Sequence, residues 1–361
     1  MVAMRALAIA IVCLFATTGF LDDASGAGPV GQIERDIREA GGAVAFRYRF
    51  QDASGQTHQL SFRLPAGAYR AARHGLERPD DDAVKRRFRD RMAERVARSR
   101  TEWQTALTAR LEVLADTLPD GVTLSHSFED GKLSWSLNGK GVTRDRLNEL
   151  GRQMSQRISQ ASRRLEASKQ REVRSYAERL REDMYRELAF TRDPGLGNDL
   201  LRPDYRKVAS RSAALMRPLA DAIAQQAGGD RRARIELALA FLQGIPYDRL
   251  TDRDASNGIG FAVPAQMLHL NRGDCDSKAT MLAMLMDHLA PAVENAILLL
   301  PGHAILAAAL PVRAGDRTMK LDGRTYVLME PAGPAVLPVG RIGDDSRRLL
   351  RDDRVLSVVR M

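Results

Sequence analysis

The chain has 361 residues and a mass of 39.9 kDa, too long for one small domain, so two folded units are expected. Hydrophobic residues make up 44%, enough for a core, while 5% aromatic and 28% charged residues favour amphipathic helices over a sheet-rich sandwich. The net charge of +9 would suit nucleic acid, acidic lipid or an acidic wall polymer, but the arginines alternate with acids, as in Arg87-Phe88-Arg89-Asp90-Arg91, which reads as a solvated helix face and against a specific nucleic-acid role.

Residues 1–27 read as a secretory signal peptide. Arg5 supplies the positive charge, residues 6–21 form an uncharged apolar stretch, and Ser25-Gly26-Ala27 offers small residues for cleavage. The apolar run is short for a membrane span of about 20 residues, so membrane attachment is expected only if the segment stays uncleaved. Val12 before Cys13 argues against lipidation there. A periplasmic or secreted protein is expected. Its mature chain keeps one cysteine, Cys275. A lone thiol forms no internal bridge and is a liability in an oxidising compartment unless it has a use.

Residues 28–190 are expected to form a helical and hairpin region. Alternation over 43–64 around Asp52-Ala53-Ser54-Gly55 predicts a hairpin, and a charged helix is predicted over 82–118. Pro119-Asp120-Gly121 ends it, and the runs 122–128 and 133–137 about Glu129-Asp130-Gly131 predict a second hairpin. Leu147, Leu150, Met154, Ile158, Ala161 and Leu165, then Val173, Tyr176, Leu180, Met184 and Leu188, recur at steps of three and four. They predict a long amphipathic helix of about 65 Å, packed along its own domain or, alternatively, coiled with an envelope protein partner. Residues 191–204, with Pro194, Gly195, Gly197 and Pro203, are the expected linker.

The remaining residues, 205–361, are expected to form the second domain. Helices are predicted over 205–227, 231–242 and 274–289, the second ended by Ile245-Pro246. Apolar runs at 296–300, 304–310 and 325–329 predict strands of one antiparallel sheet buried against the third helix. The fold class expected is α+β.

Arg272-Gly273-Asp274-Cys275 places the thiol at the start of that third helix, with Asp274 as a plausible N-cap. A helix N-terminus stabilises a thiolate through free N–H groups and the dipole, and the same amides can face an oxyanion. A small buried cysteine in a first helical turn would look the same locally. Of six histidines, His58, His74 and His126 fall in surface hairpins or loops, and His288 lies about 20 Å along the helix from Cys275. His269 remains open. His303 is better surrounded, following Pro301-Gly302 at the start of an apolar strand. Glu330 closes the strand Tyr326-Val327-Leu328-Met329 and is placed either to orient His303 or as an ordinary strand-end acid.

Together these segments resemble the transglutaminase-like (papain-like) cysteine peptidase superfamily. Gly273-Asp274-Cys275-Asp276 matches its nucleophile motif, Gly302-His303 its histidine strand, and Tyr326-Val327-Leu328-Met329-Glu330-Pro331 its acid motif, with Glu where the family usually has Asp. Phe241-Leu242-Gln243-Gly244-Ile245-Pro246-Tyr247, and Pro264 with Leu268, match the lead-in. The resemblance covers about 233–339. It implies a transglutaminase-like domain with a Cys275-His303-Glu330 triad and an oxyanion site at the Cys275 N–H. Asp274 and Gln243 would support that site. It implies a protein or peptide substrate and no cofactor, and no His/Cys cluster in the sequence calls for a metal. The expected activity is that of a cysteine peptidase or amidase; a crosslinking transglutaminase and a non-catalytic envelope binding module are the alternatives.

Overall fold

A computed structural model describes residues 10–11, 31–77, 80–197, 200–252 and 259–361. The expected signal peptide lies outside these residues, except for the two-residue strand β1, Ala10–Ile11. The chain is a mixture of helices and mainly antiparallel sheets. It divides into two compact units, one of residues 1–79 with 185–361 and one of residues 80–184.

The smaller unit is built on two long helices and a hairpin. Helix α2, Asp81–Ala115, starts where the Asp80 carboxylate accepts the Asp82 and Ala83 N–H groups at 2.9 and 3.1 Å. Strands β5, Val122–Glu129, and β6, Lys132–Gly139, meet through Asp130-Gly131, whose φ angles of 48° and 74° give the twist that a two-residue hairpin needs. Helix α3, Arg144–Glu187, has 44 residues and begins in this unit. Leu107, Leu111, Leu114, Met154 and Ile158 are buried between the helices, and Leu124, Phe128, Trp135 and Leu137 of the hairpin cover them. The three-and-four spacing of α3 is thus spent inside its own unit over this stretch.

The larger unit gathers what was expected to be three regions. Strands β2, Gln32–Ala40, β3, Ala43–Gln51, and β4, Thr57–Pro65, form a sheet whose alternate residues Val44, Phe46, Tyr48, Phe50, Leu60, Phe62 and Leu64 are buried. A short helix, α1, Ala66–Ala72, follows. Tyr48 and Phe50 set their rings edge-on to Phe241 at 5.0 and 5.7 Å, so this sheet shares a core with the C-terminal part of the chain. The division at residue 190 is therefore replaced by one at about 80 and 184.

The expected linker is also packed structure. Strands β7, Phe190–Arg192, and β8, Leu200–Pro203, pair antiparallel, and β8 pairs in parallel with β1. Asp193, 4% exposed, accepts from Arg202 Nε at 2.7 Å and from Ser357 Oγ at 2.8 Å. A buried ion pair of this kind fixes a segment that its prolines and glycines would otherwise leave free.

Helices α4, Tyr205–Ala227, α5, Arg231–Gly244, α6, Pro264–Leu270, and α7, Cys275–Leu289, follow. Then come β9, Asn295–Leu300, β10, His303–Ala308, β11, Thr318–Leu321, β12, Arg324–Met329, helix α8, Asp344–Arg351, and β13, Ser357–Arg360. The sheet order is β11-β12-β10-β9-β13, all antiparallel. Helix α7 is buried on nearly every face and packs on α4, α5, β9 and β10, which explains why its apolar residues do not keep to one stripe. Among the described residues no helix is long and apolar enough to cross a membrane.

Candidate active site

Cys275 is the first residue of α7 and only 3% exposed. The segment after α5 sets its position. Gly273 N–H donates to the Pro246 carbonyl and Asp248 N–H to the Gly273 carbonyl, each at 3.2 Å. A Cβ on Gly273 would lie 2.5 Å from the buried Met267 sulfur, so the close approach needs glycine. Asp274 caps α7, its carboxyl accepting Ser277 N–H at 3.1 Å.

His303 comes to the thiol from the sheet. The turn at Pro301-Gly302, with Gly302 at φ 72°, returns β9 into β10. Because Leu306 pairs with Met329, the end of β12 lies beside the start of β10. Glu330 Oε1 is there bonded to His303 Nε2. Cys275 also acts on the His303 ring, whose Nδ1 is the nitrogen that Glu330 leaves open. Burial works against charging the His303 ring, but the Glu330 carboxylate and Cys275 outweigh it and hold the imidazole well above the usual histidine range.

Glu330 has its own supports. Its Oε2 accepts Ser346 Oγ at 2.7 Å and Gly343 N–H at 3.3 Å, both from the start of α8. Burial pushes its carboxyl up, and His303 with these donors more than offsets that, so it lies below the usual glutamate value. The longer side chain, compared with aspartate, spans from the imidazole to α8.

Gln243 has a different place from the one expected. Its Nε2 donates to the carbonyls of Glu330 and Leu337 at 2.8 and 3.0 Å, and its Oε1 accepts Leu337 N–H at 3.1 Å. Both amide hydrogens are committed, so Gln243 holds the 330–337 loop and is not a donor to an oxyanion. The other open histidine, His269, is exposed and edge-on to Tyr69 at 6.5 Å. Burial, then Arg73, Arg35 and His74, lower its pKa. His288 pairs with Asp221 and His58 with Asp52, each at 2.7 Å.

Three neighbours of Cys275 carried no role in the sequence reading. Asp276 accepts Tyr205 Oη at 2.8 Å and Ser277 N–H at 3.1 Å. Burial first, then mutual repulsion and Cys275, push the Asp274 carboxyl far up, and burial raises Asp276 as well. Lys278 is 0% exposed and donates to the carbonyls of Ile245 and Ala332. Lysine on a helix normally reads as solvent-facing, whereas the Gly-Asp-Cys-Asp run already displayed both acids.

Among the described residues no group of three or more His, Cys, Asp or Glu side chains is arranged to hold a metal ion. The arrangement can activate a thiol, orient an imidazole through a carboxylate and present a helix start to a developing negative oxygen. No protein-family model matches the chain, and neither characterised proteins nor solved structures give a match.

Proposed function

We propose that this protein is an exported thiol-dependent acyl-transfer enzyme of transglutaminase-like, papain-like arrangement, acting on an amide or peptide bond. The observation that carries this reading is the Glu330-bonded His303 ring, on which Cys275 at the start of α7 acts directly. Cys275 attacks the amide carbonyl while its proton passes to His303. The imidazolium then gives that proton to the leaving amine, and Glu330 keeps the ring in place and balances its charge. Cys275 N–H, at the positive end of α7, supports the oxyanion. Water then releases the acyl group, giving hydrolysis; an amine acceptor would give a crosslink. Export rests on the leader-like residues 1–27.

The rival reading, a non-catalytic envelope-binding module, draws on one observation: the thiol is 3% exposed. The test is peptide turnover with and without dansylcadaverine, analysed by mass spectrometry against Cys275→Ala. Hydrolysed product lost in the variant supports the peptidase reading. Dansyl-labelled product replaces it with a crosslinking one. Equal product from both proteins contradicts an acyl-transfer role for Cys275.

A further inference from the structure

Two acids flank the thiol in sequence, and both are buried beside it, Asp274 and Asp276 each 6% exposed. Their negative potential opposes a thiolate. Its reach is visible at Tyr247, whose hydroxyl is pushed up first by burial and then by Cys275, Asp274 and Asp276. Burial raises both carboxyls, which weakens that potential, and His303 stands toward Cys275 from the sheet side. Another cation stands within α7 itself. Lys278 follows Cys275 by three positions and so lies on the same helix face. Its stem runs past Gly273, where an added Cβ would sit 3.5 Å from Lys278 Cγ.

The Lys278 ammonium donates to two neutral carbonyls, Ile245 ahead of Pro246-Tyr247 and Ala332 just after Glu330. A wholly buried ammonium is costly to desolvate, and a methionine of similar length would fill the space without that cost. The charges acting on it are Asp274 and Cys275. Around them stand Asp276 on α7, Tyr205 on α4, Tyr247 after α5, His303 on β10 and Glu330 after β12.

We propose that Lys278 is a positioning residue of the Cys275 site: its ammonium ties the Ile245 and Ala332 carbonyls to the nucleophile helix and supplies buried positive charge that favours the Cys275 thiolate over the thiol. The inference rests on the thiol-enzyme reading. It adds to the proposed triad a cation on the same helix as the nucleophile, and it makes the charge conditional. Burial lowers the Lys278 pKa to about 7, with Asp274 and Cys275 opposing that fall, so the ammonium is present at pH 6 and lost as pH rises past neutrality.

The test is the rate of Cys275 alkylation by iodoacetamide from about pH 5.5 to about pH 9.5 for wild type, Lys278→Met and Lys278→Arg, with folding checked by near-UV circular dichroism. An opposite charge close by shifts a titration by about one unit or more, so Lys278→Met should react about tenfold more slowly at pH 6. The gap should close above neutrality, where wild-type Lys278 is itself uncharged. Lys278→Arg should stay near wild type at pH 6. A loss of the same factor at every pH, or no loss, overturns the charge role. Should Lys278→Met not fold, Lys278→Gln, which still donates to a carbonyl but is neutral, makes the same comparison. Slow wild-type alkylation unaffected by His303→Ala would remove the thiol site itself. A fast wild-type thiol with an unaltered Lys278→Met profile removes only the role of Lys278.

Discussion

Glu330 reaches in two directions at once, bonding His303 Nε2 with one carboxylate oxygen and Ser346 Oγ with the other, the latter at 2.7 Å. One side chain thereby joins the histidine strand to helix α8.

Shortening that side chain should break one of the two links. In Glu330→Asp the carboxylate is a methylene shorter and cannot hold both His303 and the α8 donors. Each charge-assisted hydrogen bond is worth about 1.5–3 kcal/mol, so alkylation or turnover should fall about tenfold or more. Glu330→Gln keeps the length and removes the charge. Its His303 should then titrate nearer the ordinary histidine value, losing its proton at lower pH than wild type does. An NMR titration of the ring Cε1 proton checks this, and an unchanged midpoint would contradict the coupling.

Ser346→Ala tests the support behind Glu330. The folded-state carboxyl lies below its ordinary value, so its stabilisation is present above about pH 4.3 and lost as pH falls through the folded value. The variant should cost about 1.5–3 kcal/mol near neutrality and less in acid, measured by urea unfolding at both conditions. Equal costs would mean that the hydroxyl does not serve the carboxylate.

Gln243→Ala should act through the 330–337 loop. It strips Glu330 and Leu337 of a donor, and Leu337 N–H of its acceptor, at a site 2% exposed. Buried unsatisfied groups cost about 1–3 kcal/mol each. Unfolding should become easier by at least that much. Gln243→Glu, which restores an acceptor but not the donors, should recover little of it.

Gly273→Ala should destabilise by about 1–3 kcal/mol because its Cβ meets the buried Met267 sulfur at 2.5 Å. Adding Met267→Ala should relieve the clash, so the pair should cost less than the sum of the two single changes. Strict additivity in chemical unfolding would show that the contact is not what requires glycine.

Much of this site was readable because its signals are local. A helix start is written in Gly273-Asp274-Cys275, and a strand start in Pro301-Gly302-His303, so Cys275 and His303 could be singled out without the fold. The segments left unassigned or misread depend on partners far along the chain. Residues 32–40 are too charged to advertise a strand, and they form β2 as an edge beside β3. Residues 191–197 and 200–204 carry loop-like prolines and glycines, but Asp193 among them is held by Arg202 and Ser357. Gln243 looked like an oxyanion donor because its distant acceptors, Glu330 O and Leu337 O, leave no local trace. The link from Ser346 to Glu330 is hidden for the same reason.

Whether His303 and Cys275 act as one unit is read from the pH profile of Cys275 alkylation in wild type and His303→Ala. The wild-type thiol should react rapidly below pH 7, and the variant should lose this acid-side reactivity by about tenfold or more. Sluggish wild-type labelling at neutral pH, with the same rate in His303→Ala, would contradict their acting as one unit.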